Sequence, residues 1–590
     1  MADNESWEKQ LDGAARAEHP GHDWAQSLGA EVEAAVDRLA ADLAAGENVG
    51  RQRSQALRVL RRAKESLVPV NARIDGAVVP HIARVPERAD VALLYVLGCA
   101  AEVPEPLALA TGYAVGFEPV GDIPPSGWWP PEVRRAEAGD LAARAAARAH
   151  DGWIDALTTR IRREAAREGG VDEAAQVWEK TLSEVERRLM HGPFTRAELD
   201  AAYGHGRWRA MQRFGVWQRG KLRPCDNARA SGHNDATSTF ERMLCENADF
   251  PARVAVAFQA AADRLGVPMW RLLAGTEDLS DAYRHVPTSA PEFTVVALWS
   301  PGDEDVRFFT LPGFNFGLKA AVPQFNRYAE TVAALANALL GVVCVHFFDD
   351  FCCCEPAEAA ASGQRSLREL QALLGAAFAE AKSVAPAAVV VFLGVESDLS
   401  EAASAGVVRM RVRPERVARL VDSIAQILDD GVMAHSAAAS LAGRLQFTLS
   451  WAFGRIGRAA LQPLHAEMGG LDRQARDGFA RGGAPALTAG QRAALRFFEA
   501  LLPELPPHEV ALRRSGERPV LILSDARWEE EPEAGEAPYD EPGAVGFLVA
   551  VPRPGTPPEG PTSEPGAGLT FLKAHYDPVS YTHLTLPTKA

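Results

Sequence analysis

The sequence predicts an α+β fold, and three observations carry that reading. Residues 1–184 place apolar side chains at helical spacing over long stretches, and residues 276–400 alternate short β-rich runs with helical ones. Between two of the β-rich runs sits VHFFDDFCCCEP (345–356), with two adjacent aspartates. Ionised carboxylates beside apolar strands are costly unless something compensates them. Asp349 and Asp350 therefore call for a metal ion or for a solvated hairpin turn.

At 590 residues the chain has room for several domains. A composition of 47% hydrophobic and 24% charged residues is that of an ordinary globular protein. The formal net charge of −16 argues against a protein that simply coats nucleic acid, although a local basic channel would still suffice for an enzyme. Seven cysteines, three of them consecutive, show no paired CxxC spacing, which fits a reducing, intracellular setting in cytoplasm or nucleus. The start MADNESWEKQ has no secretory character. VALLYVLGCAA (91–101) is too short to cross a bilayer and reads as a buried helix, so no membrane partner is expected.

Taken in order, AEVEAAVDRLAADLAA (30–45) spaces Val32, Val36, Leu39 and Leu43 as a helix does. SGWWPP (126–131) breaks the pattern as a loop. GDLAARAAARAHDGWIDALTTRIRREAA (139–166) resumes it, and residues 1–184 read as a helical accessory region of unknown role. GRWRAMQRFGVWQRGKLRPCDNARA (206–230) interleaves Arg207, Arg209, Arg213, Arg219, Lys221, Arg223 and Arg229 with Trp and Phe against one acid, Asp226. Such a run either binds phosphates and stacks on bases or is a basic surface with core aromatics. FTVVALW and VRFFTL read as strands, QFNRYAETVAALANALL (324–340) as a helix, and GVVCVHF and FCCC as strands around the aspartate pair. VVRMRVRPERVARL is a strand-to-helix passage, and residues 441–464 form a basic amphipathic helical stretch. From 515 the pattern turns β again, with RPVLILSDARW and GAVGFLVAVP as two strands around an acidic loop. The alternation of strand faces keeps Cys352, Cys353 and Cys354 from converging on a metal with His346, so they read as small buried hydrophobes.

EDLSDAYRHVP (277–287) adds Asp278 and Asp281 some 70 residues before the pair. A strand carboxylate and a hairpin carboxylate can meet on adjacent strands and hold hard divalent cations through oxygen. Two such ions stabilise the attacking and leaving oxygens of an in-line phosphoryl transfer.

DLSDAY, LPGFNFGLKAAVPQF, FFDDF, EAKS and FLGVESD, in that order, resemble successive motifs of retrotransposon reverse transcriptases of the long-terminal-repeat or tyrosine-recombinase type. The resemblance covers roughly residues 185–470 well and 515–575 partly. It implies a right-hand polymerase: fingers at 185–275, palm at 276–400 and thumb or connection at 401–480. It implies Asp278, Asp349 and Asp350 as the catalytic carboxylates, with the Leu279 carbonyl as a further metal ligand. Two Mg²⁺ ions are the implied cofactor, with Mn²⁺ as a substitute. Asp281, Ala282 and Tyr283 match the segment facing the incoming deoxynucleoside triphosphate, where Tyr283 would clash with a 2′-hydroxyl. Phe316 and Gly317 match the lining of that pocket, with Gly317 allowing close backbone approach, and Lys319 follows them. Lys382 matches a palm lysine near the triphosphate or is a surface lysine. Lys221 and Arg223 match a fingers strand on triphosphate oxygens. Phe392, Leu393 and Gly394 match the primer-grip hairpin. Arg444, Arg455 and Arg458 would track the duplex of a template–primer, RNA or DNA. Protein partners are not implied.

Departures accompany the likeness. Phe347 and Phe348 precede the pair where many relatives carry Tyr first, LPGFNFG is longer than the usual loop, and the Arg223-to-Asp226 spacing is short. Residues 515–577 resemble the opening of an RNase H domain, with Asp525 at its first catalytic aspartate. No further carboxylates can be placed before 578–590, whose sequence resembles a translated adaptor read. An incomplete, inactive RNase H fragment is the expectation, and Glu529–Glu531 read as a solvated charge run. A transposon-derived remnant that binds nucleic acid without catalysis is the alternative reading.

Overall fold

The computed structural model describes residues 28–134, 148–167, 169–218, 220–451, 457–465 and 485–513, and the strands at 521–527, 544–552 and 569–576. The chain divides into two units, residues 27–512 and residues 1–26 with 513–590.

The larger unit begins with helices α1 (Ala30–Ala44), α2 (Val49–Ala77), α3 (Val91–Ala100) and α4 (Pro106–Val115). Their starts are encoded locally. The Asn48 side chain accepts from the Arg51 amide at the head of α2, and Asp90 accepts from the Leu93 amide at the head of α3. On α1, Val32, Val36 and Leu39 are buried as their spacing predicts. The run 91–101 is a helix with Val91, Leu93, Leu94 and Leu97 buried. Among the described residues no helix is long and apolar enough to cross a membrane.

Next come α5 (Arg148–Ala165), α6 (Gly170–Glu186), β1 (His191–Phe194), α7 (Arg196–Tyr203), β2 (Ala210–Gln218), β3 (Lys221–Asp226), α8 (Phe250–Leu265), β4 (Leu272–Asp278), β5 (Val295–Ser300) and β6 (Asp305–Thr310). A five-stranded sheet runs β1-β6-β5-β2-β3. Ile154, Leu157 and Ile161 of α5 pack on it with Trp208 and Phe308.

Helix α9 (Ala321–Leu340) leads to β7 (Cys344–Phe347), β8 (Asp350–Pro356), α10 (Ala357–Leu374) and β9 (Val384–Ala387). A second, four-stranded sheet runs β7-β8-β4-β9. Its β8 is buried on both faces, as a continuous apolar run requires. Cys353 joins the cluster formed with α9 and α10, while the Cys354 thiol lies 4.0 Å from the Pro251 carbonyl of α8. The three cysteines are core residues.

The N-terminal helices share this core. Leu57, Leu60, Leu93, Leu94 and Tyr113 belong to the same cluster as Leu335, Phe351, Leu367 and Leu370. A buried ion pair fastens them: Arg53 donates to Glu355 of β8 at 2.9 and 2.7 Å in a two-pronged contact, and to the Leu340, Gly341 and Ala359 carbonyls. Both side chains are almost fully buried, so loss of one partner would strand a charge in the core.

A third sheet runs β10 (Val389–Phe392), β11 (Val395–Asp398), β12 (Val407–Val412) and β13 (His508–Ala511). Helices α11 (Pro414–Asp430), α12 (His435–Ser450) and α13 (Ala489–Leu501) build a separate apolar cluster of Leu420, Ile424, Leu441, Leu445, Leu495 and Phe498. Helix α13 thus extends this helical module beyond residue 480. The helical stretch expected over 441–464 is not one helix: α12 ends at Ser450, and a short 3₁₀ turn follows at Arg458–Leu461.

In the smaller unit, β14 (Leu521–Arg527), β15 (Ala544–Pro552) and β16 (Leu569–Tyr576) form an antiparallel sheet in that order. The sequence predicts the first two of these strands. Residues 578–590 and Glu529–Glu531 lie outside the described residues.

Candidate active site

Register brings the aspartates together. Strands β4 and β8 pair antiparallel from Leu272↔Pro356 to Asp278↔Asp350, so two residues 72 positions apart face each other at the sheet's end. Asp349 lies in the two-residue turn between β7 and β8, and its carbonyl accepts from the Leu279 amide at 3.0 Å. That bond ties the turn to the end of β4. Phe348, the first turn residue, has φ +54°. A bulky residue in this region carries strain of roughly 1–2 kcal/mol. His346 Nδ1 donates to the Phe348 carbonyl at 3.1 Å and helps to hold the turn.

The electrostatics follow from that crowding. Burial pushes the Asp350 carboxyl up to about 6, and the Asp349 and Asp278 charges push the same way. Burial also raises Asp349, with Asp278 adding to the effect and Lys382 opposing it. Lys382 Nζ donates to Asp278 Oδ1 at 2.6 Å, and its charge opposes the rise at Asp349 and Asp350. The donor set is hard oxygen with unbalanced negative charge, which fits a magnesium-type ion. The three carboxylates are not drawn into a single tight ring. Among the described residues, the group of three metal-type side chains whose ligand atoms all lie within 4.8 Å of one another is His150, Asp200 and His205.

One acidic neighbour escapes sequence reasoning. Glu277, next to Asp278, points to the other face of β4 and is buried. Its Oε1 accepts from Gln364 Nε2 at 2.7 Å and from Ser383 Oγ at 3.0 Å, with Arg368 at 3.6 Å. It clamps β4 to α10 behind the site. Its place directly before Asp278 on a strand is the signal that could have assigned it to the opposite face.

Beyond β4 the chain turns through Asp281, at φ +56°, into a short 3₁₀ helix, Ala282–His285. Asp281 is ion-paired with Arg187, and Ala282 is buried. The Tyr283 ring lies 4.9 Å from Phe316 and 5.6 Å edge-on to Phe325. Burial, then the Asp349 charge, push its hydroxyl up to about 12. The Tyr283 hydroxyl thus feels the charge of Asp349. Phe316 is exposed on its outer side, and the Arg284 guanidinium stacks over its ring at 5.3 Å. Arg284 belongs to a buried network with Arg213, Glu184 and Asp226. Asp226 and Arg213 are therefore structural.

Gly317 has a neighbour that the sequence does not announce. At φ +105°, a Cβ there would lie 2.4 Å from the Asp226 carbonyl. The glycine permits a close backbone approach to β3. Lys319 is likewise engaged within the fold: its Nζ donates to the Thr237 carbonyl at 2.8 Å.

The basic stretch 206–230 divides in two. Arg209 stacks on Trp153 and bonds the Ser231 carbonyl, and Arg213 is buried. Lys221 and Arg223 of β3 are exposed, and Trp217 of β2, in register with Leu222, is exposed as well. Phe392, Leu393 and Gly394 make the tight turn between β10 and β11, with φ +51° at Leu393 and +83° at Gly394. These signs are those of a type I′ hairpin. Phe392 is buried. Arg444 is exposed on α12, Arg455 lies outside the described residues, and so does the side chain of Arg458. Asp525 pairs with Gly546 across β14 and β15.

No family model matches the chain, and no curated protein matches it. Solved structures similar to it include a foamy viral protease-reverse transcriptase dRH in complex with ds DNA. That likeness has 11% identity and a TM-score of 0.36, over 62% of this chain and 51% of that one. A foamy viral protease-reverse transcriptase in complex with dsDNA has 11% identity and a TM-score of 0.38, over 69% of this chain and 66% of that one. The chain thus spans about half the length of the first, at 51%. Neither likeness bears on the chemistry of this chain.

Proposed function

We propose that this chain is an RNA-directed DNA polymerase of the retrotransposon type. The observation that supports it most is the meeting of Asp278, Asp349 and Asp350 at one sheet end from separate strands. Their order and flanking motifs are those of the resemblance.

In this reading Asp278 and Asp349 hold two Mg²⁺ ions, assisted by Asp350 and the Leu279 carbonyl. Bound there, the ions supply charge stabilisation to the attacking and leaving oxygens. The primer 3′-hydroxyl oxygen attacks the α-phosphorus of a deoxynucleoside triphosphate, its proton leaves to solvent, and the bond to pyrophosphate breaks. Lys221 and Arg223, exposed on β3, take the triphosphate oxygens. Lys382, already at Asp278, is placed to give a proton to the departing pyrophosphate. Tyr283 and Phe316 form the aromatic floor beneath the sugar. The 389–398 hairpin, with Phe392, Leu393 and Gly394 at its turn, positions the primer end. Arg444 tracks the duplex. The fingers, palm and thumb assignments of 185–275, 276–400 and 401–480 belong to this proposal. So does the RNase H likeness of 515–577, for which no cleavage is expected.

Primer extension on an RNA template by the purified chain tests the reading. Asp349→Asn should lower extension by at least about 100-fold, because several kcal/mol of charge stabilisation is lost. Extension that survives the substitution overturns the two-ion assignment. Salt-sensitive template–primer binding with no extension by the unsubstituted chain would instead make it a non-catalytic binding remnant.

A further inference from the structure

We propose that His150, Asp200 and His205 form a binding site for a divalent transition metal of the zinc class, joining the start of α5 to α7. The ligand atoms of the three side chains lie within 4.8 Å of one another. Tetrahedral ligands about 2.0–2.2 Å from a zinc ion stand roughly 3.4 Å apart. Small side-chain rotations would close the group.

The second observation is His150 itself. Its side chain has no solvent exposure, and neither ring nitrogen has a hydrogen-bond partner of good geometry, the Trp208 backbone offering only a weaker polar contact. The nearest carboxylate oxygen, Asp200 Oδ1, is 3.8 Å away. The ring packs edge-on to Trp208 at 4.9 Å and to His205 at 5.5 Å. A buried histidine that serves only packing normally has its polar atoms satisfied. Leaving them unpaired is unfavourable, and a metal ion bonded to one nitrogen relieves this.

The other two ligands are held in place. Trp208 Nε1 donates to Asp200 Oδ1 at 2.8 Å and fixes that carboxylate. Gly204, at φ +89°, ends α7 and turns the chain so that His205 comes back beside Asp200. His205 Nδ1 lies 3.5 Å from Asp200 Oδ2, while its Nε2 lies 3.5 Å from Asp151 Oδ2. With Nδ1 on the metal, Nε2–H faces a carboxylate, the arrangement that orients metal-bound imidazoles. Arg196 is the competitor, with Nε 3.8 Å from Asp200, but it also pairs with Asp151 and Asp155 and keeps those partners when Asp200 turns to the ion. Two imidazoles and a carboxylate favour zinc-class ions over magnesium. His205 is half-exposed and leaves a route from solvent.

The test is Co²⁺ titration of the metal-free full chain, in an Asp349→Asn background so that the aspartate cluster contributes little. Visible d–d absorption of a nitrogen-bound ion is the readout, and Zn²⁺ competition gives the affinity. One equivalent of Co²⁺ should produce the band, and Zn²⁺ should displace it. His205→Ala, at an exposed position, should weaken binding by more than about 100-fold, and Asp151→Asn by about 10–100-fold. Absence of the band overturns the site, as does a loss below tenfold in His205→Ala. If His205→Ala fails to fold by circular dichroism, Asp151→Asn decides on the same tenfold criterion.

Discussion

Asp350→Asn should make the metal-free protein more stable, and the structure sets the size of the gain. Asp350 titrates at about 6, against 3.8 for the free side chain, because it is buried beside Asp349 and Asp278. The rise from 3.8 to about 6 corresponds to roughly 3 kcal/mol. Part of the carboxylate is solvated, so screening reduces this to about 1–2 kcal/mol. The sign follows from proton linkage. Above pH 6 the carboxylate is ionised in both folded and unfolded states, and the native state bears the full penalty. Below about pH 4 both states are protonated and the penalty is gone. Stability of the parent therefore falls as pH rises from 4 through 6, and the neutral amide escapes that fall. Thermal unfolding in EDTA at pH 4.5 and pH 8 measures it. The variant should gain roughly 1–4 °C at pH 8 and only about a third of that at pH 4.5. Added Mg²⁺ should narrow the gap at pH 8 by stabilising the parent more than the variant. A variant less stable than the parent at pH 8, or an equal gain at both pH values, refutes the account of crowded carboxylates.

Other outcomes follow from neighbouring contacts. Arg53→Ala leaves Glu355 buried without its partner and should cost about 3–5 kcal/mol in denaturant unfolding, although Arg53 is far in sequence from the site. Gly317→Ala should destabilise by roughly 1–3 kcal/mol, since the new methyl meets the Asp226 carbonyl at a positive φ. An unchanged midpoint would mean that the loop shifts freely. If the aromatic floor excludes a 2′-hydroxyl, Tyr283→Ala should relax discrimination against ribonucleotides on the order of 10- to 100-fold in single-nucleotide incorporation. Unchanged selectivity would assign the ring to packing with Phe316 and Phe325 alone.

The local features of the aspartate site were legible because local rules govern them. A hairpin reverses between two apolar runs, so the DD pair had to sit at or near a turn. Strand alternation settled that three consecutive cysteines could not share a ligand. The basic run 206–230 was not divisible by eye, because composition does not say which arginines turn inward. Arg213 found Glu184, while Lys221 and Arg223 stayed in solvent. The demand for a glycine at Gly317 was legible, but its contact with the Asp226 carbonyl of another strand was not.

By itself, the sequence determined the alternation of helices and strands and the hairpin that presents Asp349 and Asp350. These depend on side-chain periodicity and turn chemistry within a few residues. Only the tertiary structure decided that Asp278 stands opposite Asp350, that Arg53 is bound to Glu355 302 positions away, and that His150 is buried beside Asp200 and His205. Such pairings are set by sheet register and by the burial of charge across distant segments. Neither leaves a mark in local spacing.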